Sequence, residues 1–196
     1  MIKVGITGMM GSGKTYISGL FADMGVPVYN SDLRVRTVQD NNFQLREELI
    51  KEFGDVYNTD GLDRPKLREI VFLDTDESRS RLQRLNQIVF PYVIEDIGKF
   101  YEENAGAKFV LLESAILFET GLNRLVDKIV FVHTPEHIRV SRSQKRDKIT
   151  IEEYRNRMKS QIDPQVKKKL SDYTIWNITN SSKKSVVKKI FNELSL

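Results

Sequence analysis

Residues 8 to 15 read Gly8-Met9-Met10-Gly11-Ser12-Gly13-Lys14-Thr15, glycines at fixed spacing followed by a lysine and a hydroxyl residue, the pattern of a loop that wraps a polyphosphate. The chemistry dictates the residue types. Backbone amides can crowd around phosphate oxygens only where side chains are absent and unusual backbone angles are tolerated, which Gly8, Gly11 and Gly13 supply. The amides from Gly11 through Ser12 and Gly13 to Tyr16 then stand at the positive end of a helix, Lys14 reaches the β and γ phosphates, and Thr15 offers a hydroxyl to a magnesium ion. A glycine-rich turn without a ligand has the same spacing but not the same setting. Here an apolar, strand-like Ile2 to Thr7 precedes the loop, and an amphipathic stretch with Ile17, Leu20, Phe21 and Met24 follows it.

Three further groups could act on a bound nucleotide. Asp32 falls just after a second strand-like segment, where the edge of a parallel sheet faces the nucleotide, and a carboxylate there can take the proton of an acceptor hydroxyl; it could equally cap the helix beginning near Leu33. Glu113 ends another apolar strand, a position suited to holding magnesium or its water, with a surface carboxylate as the plain alternative. Arg139, Arg142 and Arg146 recur at one helical face and, with Arg157, could clamp phosphates as negative charge spreads in the transition state, or form a solvated basic face. The guanine-reading pattern Asn-Lys-x-Asp and the switch pattern Asp-x-x-Gly are both missing from the sequence, which favours ATP over GTP.

The elements that must position these residues follow from hydrophobic periodicity. Five segments rich in β-branched residues, Ile2 to Thr7, Pro27 to Tyr29, Lys108 to Leu112, Lys128 to His133 and Tyr173 to Ile178, alternate with helical patterns, as in an α/β protein whose parallel sheet is covered on both faces. The stretch from Asp40 to Ala107 carries helical stripes and no convincing strand: Phe43, Leu49, Ile50 and Phe53 form one, Leu82, Leu85, Ile88 and Val89 a second, and Val93, Ile97, Phe100 and Tyr101 a third. It reads as a helical insertion with those residues in its core. Thr134 before Pro135 predicts a helix start capped by Thr134 and running towards Lys145, and Thr150 with Glu153 predicts a capping box opening a helix that ends before Pro164.

Composition excludes several classes. With 196 residues and 30% charged side chains the chain suits one ordinary domain with an insertion. Its apolar runs are far shorter than the roughly 20 residues of a membrane helix. The strand-like pattern from Ile2 leaves no room for a cleavable leader, so a cytoplasmic protein is expected. No cysteine is present, and His133 and His137 are the only histidines, so a metal should be held by oxygen. The net charge of +4 raises nucleic acid as a partner, but the lysines at 167 to 169, 183 to 184 and 188 to 189 are dispersed and read as solvated helix faces.

With these residues assembled, the chain resembles the dephospho-CoA kinase family over essentially its whole length. Gly8 to Thr15, Gly25-Val26-Pro27, Ser31-Asp32 with Arg36, Gly61-Leu62-Asp63-Arg64 with Leu67-Arg68 and Val71-Phe72, Leu117-Phe118-Glu119-Thr120-Gly121-Leu122, Lys145-Arg146-Asp147 with Arg157 and Gln161, and Asp172-Tyr173 with Asn177 occur in the family's order. The resemblance implies a three-layer P-loop kinase fold with a five-stranded parallel sheet. Its core would be residues 1–39 and 105–196, with a CoA-binding helical insertion at 40–104 and a lid at 138–163. It implies ATP-dependent phosphorylation of the ribose 3'-hydroxyl of dephospho-CoA, with Asp32 as base and Lys14, Arg142 and Arg146 on the transferring phosphoryl group. Gly8, Gly11, Ser12, Gly13, Lys14, Thr15, Tyr16 and Asn177 would hold the nucleotide, and Thr15 and Glu113 the Mg2+. Neither nucleic acid nor membrane is an implied partner. Three positions depart from the family pattern: Phe90 stands where a histidine is usual, Glu113 replaces aspartate, and Trp176 replaces the aspartate before Asn177. A kinase for another small metabolite, or a nucleotide-dependent assembly protein, would share the loop but not the other segments.

Overall fold

The computed structural model describes residues 1–71, 76–178 and 183–196. In chain order the elements are β1 (Ile2–Thr7), α1 (Lys14–Ala22), β2 (Val28–Asn30), α2 (Ser31–Asn41), α3 (Phe43–Phe53), β3 (Tyr57–Asn58), β4 (Gly61–Leu62), α4 (Arg64–Val71), α5 (Asp76–Glu103), β5 (Phe109–Glu113), a 3-10 turn (Leu122–Leu125), β6 (Lys128–His133), α6 (Glu136–Asp147), α7 (Ile151–Met158), α8 (Pro164–Lys169), β7 (Tyr173–Trp176) and α9 (Lys183–Leu194). They form two compact units, Met1–Asn30 with Asn104–Leu196, and Ser31–Glu103. Among the described residues no helix is long and apolar enough to cross a membrane. Phe72, one of the residues carrying the family resemblance, lies outside the described residues.

The first unit is built on a five-stranded parallel sheet in the order β2-β5-β1-β6-β7. All five β5 residues are buried, as expected of a parallel strand covered on both faces. On one face Val4, Ile6, Leu111, Val130 and Val132 meet Ile17 and Phe21 of α1 and Val187 and Ile190 of α9. Each such fully buried side chain contributes about 1.5–3 kcal/mol by leaving water. On the other face β1 has no side chain at Gly5, where an added Cβ would come within 2.8 Å of Leu117. The segment after β5 therefore lies close over the central strand. Parallel register sets Ile6 and Asn30 beside Glu113, so the loop after β1 and the end of β5 share one edge.

In the second unit, Asn42 caps α3 by accepting from the Leu45 amide at 2.9 Å, and Gly54 ends it with φ of 80°. The buried face of α3 is Leu45 and Leu49; Phe43 is 69% exposed and Ile50 is also exposed, so the stripe expected from periodicity was offset by part of a turn. The stretch expected to lack strands contains the β3–β4 hairpin. Its turn is set by Asn58 Oδ1 accepting from the Asp60 amide and by Gly61 at φ of 120°, which favours glycine. The two later stripes lie on one helix, α5, with Pro91 inside it. A proline removes the bond to the carbonyl four residues back, here that of Gln87, and Gln87 and Pro91 are both exposed residues. Asp40 ties the hairpin to α2 by accepting from the Leu62 amide at 3.1 Å and from Arg64 Nη2 at 2.8 Å. Burial pushes the Asp40 carboxyl up, but Arg64, the Leu62 amide and Arg36 together hold it below its ordinary value.

Candidate active site

The loop between β1 and α1 takes the shape its glycines permit. Gly11 and Gly13 have φ of 78° and 81°, and Gly13 is the left-handed N-cap of α1. The protein itself fills the space a side chain would need: a Cβ at Gly11 would strike the Arg139 carbonyl, one at Gly13 would strike the Asn177 amide, and one at Gly8 would lie 2.6 Å from the Val132 carbonyl. The glycines are thus required by the loop's own packing as well as by any ligand. Lys14 and Thr15 open α1, where unpaired amides and the helix dipole favour an anion.

One carbonyl organises the underside of this loop. Ser12 O accepts from Asn177 Nδ2 at 2.7 Å, from Thr134 Oγ1 at 3.0 Å and from Arg142 Nη1 at 3.5 Å. Thr134, expected to cap α6 with its side chain, does not do so; Pro135 holds the cap position without a side-chain bond, and the Thr134 hydroxyl spans Ser12 O and Asn177 O instead. Asn177, expected among the residues that hold the nucleotide, is buried with its amide turned into the loop. Tyr16 presents an exposed ring, with the ammonium of Lys183 5.2 Å from its centre.

At the end of β5, Glu113 is 4% exposed. Its Oε1 accepts from Thr15 Oγ1 at 2.6 Å and its Oε2 from Asn30 Nδ2 at 3.4 Å. The surface-carboxylate alternative is therefore removed. A hydroxyl and a carboxylate in contact beside a phosphate-type loop suit a hard cation that takes oxygen donors and keeps several waters. No cluster of three or more acidic or histidine side chains able to hold a metal occurs among the described residues, so such an ion would complete its shell from phosphate and water.

The three arginines on one face of α6 have different fates. Arg139 is 7% exposed; its Nε donates to the Thr134 carbonyl at 3.0 Å and its Nη1 to the Tyr154 hydroxyl at 2.6 Å. It joins α6 to α7 and is neither a solvated residue nor a free clamp. Arg142 reaches Ser12 O and, through Nη2, Asn177 O at 3.3 Å. Arg146 pairs with its neighbour Asp147 through two bonds of 2.8 and 2.9 Å on the surface, and Arg157 is exposed. Asp32 is the second residue of α2, in the other compact unit and two residues beyond Asn30. It is exposed and sits inside the first turn of a helix that already starts at Ser31, so it is not the helix cap.

Two lysines read as solvated are enclosed. Lys167 is 0% exposed and Lys183 4%. Lys167 pairs with Glu119 at 2.7 Å, and burial pushes its ammonium below its ordinary value despite that carboxylate. Lys183 is likewise lowered, by burial and by the charge of Arg142. Nothing in the run of lysines 167 to 169 distinguishes the first from its neighbours; only its contacts with Glu119 and the Ala115 carbonyl do.

The dephospho-CoA kinase (CoaE) family model matches residues 2–183. A dephospho-CoA kinase of Porphyromonas gingivalis is 36% identical over 90% of this chain and 86% of its own length, and one from Fusobacterium nucleatum is 33% identical over 95% and 94%. Among solved structures, TT1252 from Thermus thermophilus superposes with a TM-score of 0.83 at 30% identity, covering 98% of this chain and 97% of that one. A dephospho-CoA kinase from Campylobacter jejuni superposes with 0.69 at 24% identity, covering 98% and 96%, and a shikimate kinase from Acinetobacter baumannii with 0.52 at 18%, covering 99% and 93%. These last two speak for the fold alone.

Proposed function

The chain belongs to the dephospho-CoA kinase family, and from that premise we propose how its residues divide the transfer of the γ-phosphoryl group of ATP to the ribose 3'-hydroxyl of dephospho-CoA, which yields ADP and coenzyme A. The acceptor follows from family membership, and the observation that carries the nucleotide and metal roles is the 2.6 Å contact between Thr15 and the buried Glu113, beside a loop whose glycines hold positive φ. The amides from Gly11 to Tyr16 bind the β and γ phosphates, and Lys14 lies against the oxygens that gain charge as the group moves. Thr15 and Glu113 are the residues that would hold Mg2+, whose positive charge would offset the negative charge of the phosphates.

Asp32 accepts the proton of the 3'-hydroxyl. The ribose oxygen then forms its bond to the γ-phosphorus as the bond from that phosphorus to the oxygen bridging to the β-phosphate breaks, and ADP leaves. Arg142 and Arg146 are the lid cations that come over the phosphates and help to keep water from the site. Asn177 acts through the loop, by holding Ser12 O. The helical unit Ser31–Glu103, with Gly61 to Arg68, takes the CoA moiety. The setting is the cytoplasm, and nucleic acid has no part in the reaction.

A test of the metal and acceptor assignments is ADP release by purified protein supplied with ATP and a set of acceptors that includes dephospho-CoA, adenosine and shikimate. Release should need both Mg2+ and dephospho-CoA, and Glu113→Gln should raise the Mg2+ concentration at half-maximal rate. A Glu113→Gln variant with unaltered Mg2+ dependence would remove that residue from the metal site. Equal use of the other acceptors would point to a different metabolite.

A further inference from the structure

Lys167 carries a full charge into a fully buried position, a costly arrangement that an apolar side chain of similar volume would avoid. Its partners show what the charge fixes. Nζ donates to the Ala115 carbonyl at 2.8 Å and lies 2.7 Å from Glu119 Oε1. The same Glu119 oxygen accepts from the Ile162 amide at 2.7 Å. Lys167 and Glu119 therefore join two segments far apart in sequence: residues 115–119, which begin two residues after Glu113, and the turn at 161–162 between α7 and α8.

That turn carries Gln161, whose amide group bridges the same two regions and adds a third. Its Nε2 donates to the Ala115 carbonyl at 3.0 Å, and its Oε1 accepts from the Met10 amide at 3.3 Å. Met10 lies within the phosphate-type loop, between Gly8 and Gly11. Ala115 O thus receives both Lys167 and Gln161, and the chain of contacts runs from the buried ammonium to the loop that faces the nucleotide. Leu117, in the same segment, sits over Gly5 of β1, so residues 115–119 are pressed onto the central strand. Neither Lys167 nor Glu119 contacts the loop directly; both act through Gln161.

We propose that Lys167, Glu119 and Gln161 are positioning residues for the nucleotide, with the buried ion pair fixing the 161–162 turn so that Gln161 holds the Met10 half of the loop at a set distance from the strand end bearing Glu113. The proposal rests on ATP being the nucleotide. Its effect belongs to ATP binding and not to the acceptor, because every contact lies in the unit Met1–Asn30 with Asn104–Leu196. Lys167 and Gln161 converge on one carbonyl, so their substitutions should not add.

The test is the affinity for ATP with Mg2+, measured by calorimetry, in Gln161→Ala, in the charge-free double variant Lys167→Met with Glu119→Gln, and in the triple variant. The double variant removes both charges together, leaves an oxygen for the Ile162 amide, and avoids stranding one buried charge. Melting curves and far-UV circular dichroism establish that each variant is folded. Each should bind ATP about 10-fold more weakly, the scale typical of partners that orient a site from behind. The triple variant should be no weaker than either, with dephospho-CoA affinity unchanged. Wild-type ATP affinity in Gln161→Ala overturns the proposal even if the double variant does not fold. So does a fully additive triple variant, or an equal loss for dephospho-CoA. If the wild-type protein binds ATP but leaves dephospho-CoA unphosphorylated, the acceptor assignment fails, while the ATP affinities still decide the positioning role.

Discussion

Lys14 and Asp32 would be lost from the reaction in different ways. Replacing Lys14 by methionine keeps the bulk of the stem but removes a cation from the phosphoryl oxygens, and turnover should fall about 10²–10³-fold, the scale of losing one charge-stabilising donor. Asp32→Asn keeps the shape and removes the proton acceptor. The exposed site leaves stability unaffected, and turnover should drop about 10²–10⁴-fold. Steady-state rates on the two variants, beside their melting curves, check both expectations; an Asp32→Asn enzyme with near-normal turnover would mean that another group takes the proton. Gly11→Ala tests the loop itself. The new methyl group would meet the Arg139 carbonyl at a φ of 78°, so ATP binding should weaken severely, which direct calorimetry would register.

The elements that carry these residues were unequally legible in the sequence. The capping box of α7 was readable because it depends on two residues three apart: Thr150 accepts from the Glu153 amide at 3.1 Å, and Glu153 accepts from the Thr150 amide at 2.7 Å. Those bonds from Thr150 hold the Glu153 carboxyl below its ordinary value of 4.5. A depressed carboxylate stabilises above its ordinary value and ceases to do so as pH falls through the folded-state value. Lowering the pH from 5 should therefore shift the Thr150 amide resonance below pH 4.5, in step with fraying of α7, and Glu153→Gln should flatten that response. Thr134 shows the opposite case. Its sequence context is that of a cap, but a hydroxyl can serve either its own helix or a carbonyl 122 residues away, and only tertiary packing decides. Lys167 was hidden for the same reason, since burial of a lysine depends on Glu119 and Ala115 arriving from another strand end. The α3 stripe was offset because Phe43, at the helix start, lies on the exposed side of the Leu45–Leu49 face.

At the scale of the molecule, the parallel sheet sets the site by register, bringing Glu113 of β5 beside Ile6 of β1 and Asn30 of β2. The core behind it fixes α1, and so the loop it ends. Phe21 is fully buried, with its ring edge-on to Phe109 at 6.2 Å between centres. Phe21→Ala should cost about 3–5 kcal/mol in denaturant unfolding, and part of that loss should be recovered with saturating ATP, roughly 2.7 kcal/mol at a hundredfold excess over its dissociation constant. Five strands and the loop were evident from periodicity and spacing; the pairing of Thr15 with Glu113 needed the strand order. The proposed transfer has one diagnostic product. Purified protein given ATP, Mg2+ and dephospho-CoA should release ADP in equal amount to a product heavier than dephospho-CoA by one phosphate, with phosphorus NMR placing it on the ribose 3' oxygen. ADP release without that product, or a phosphate on another oxygen, would rule out transfer to the 3'-hydroxyl of dephospho-CoA.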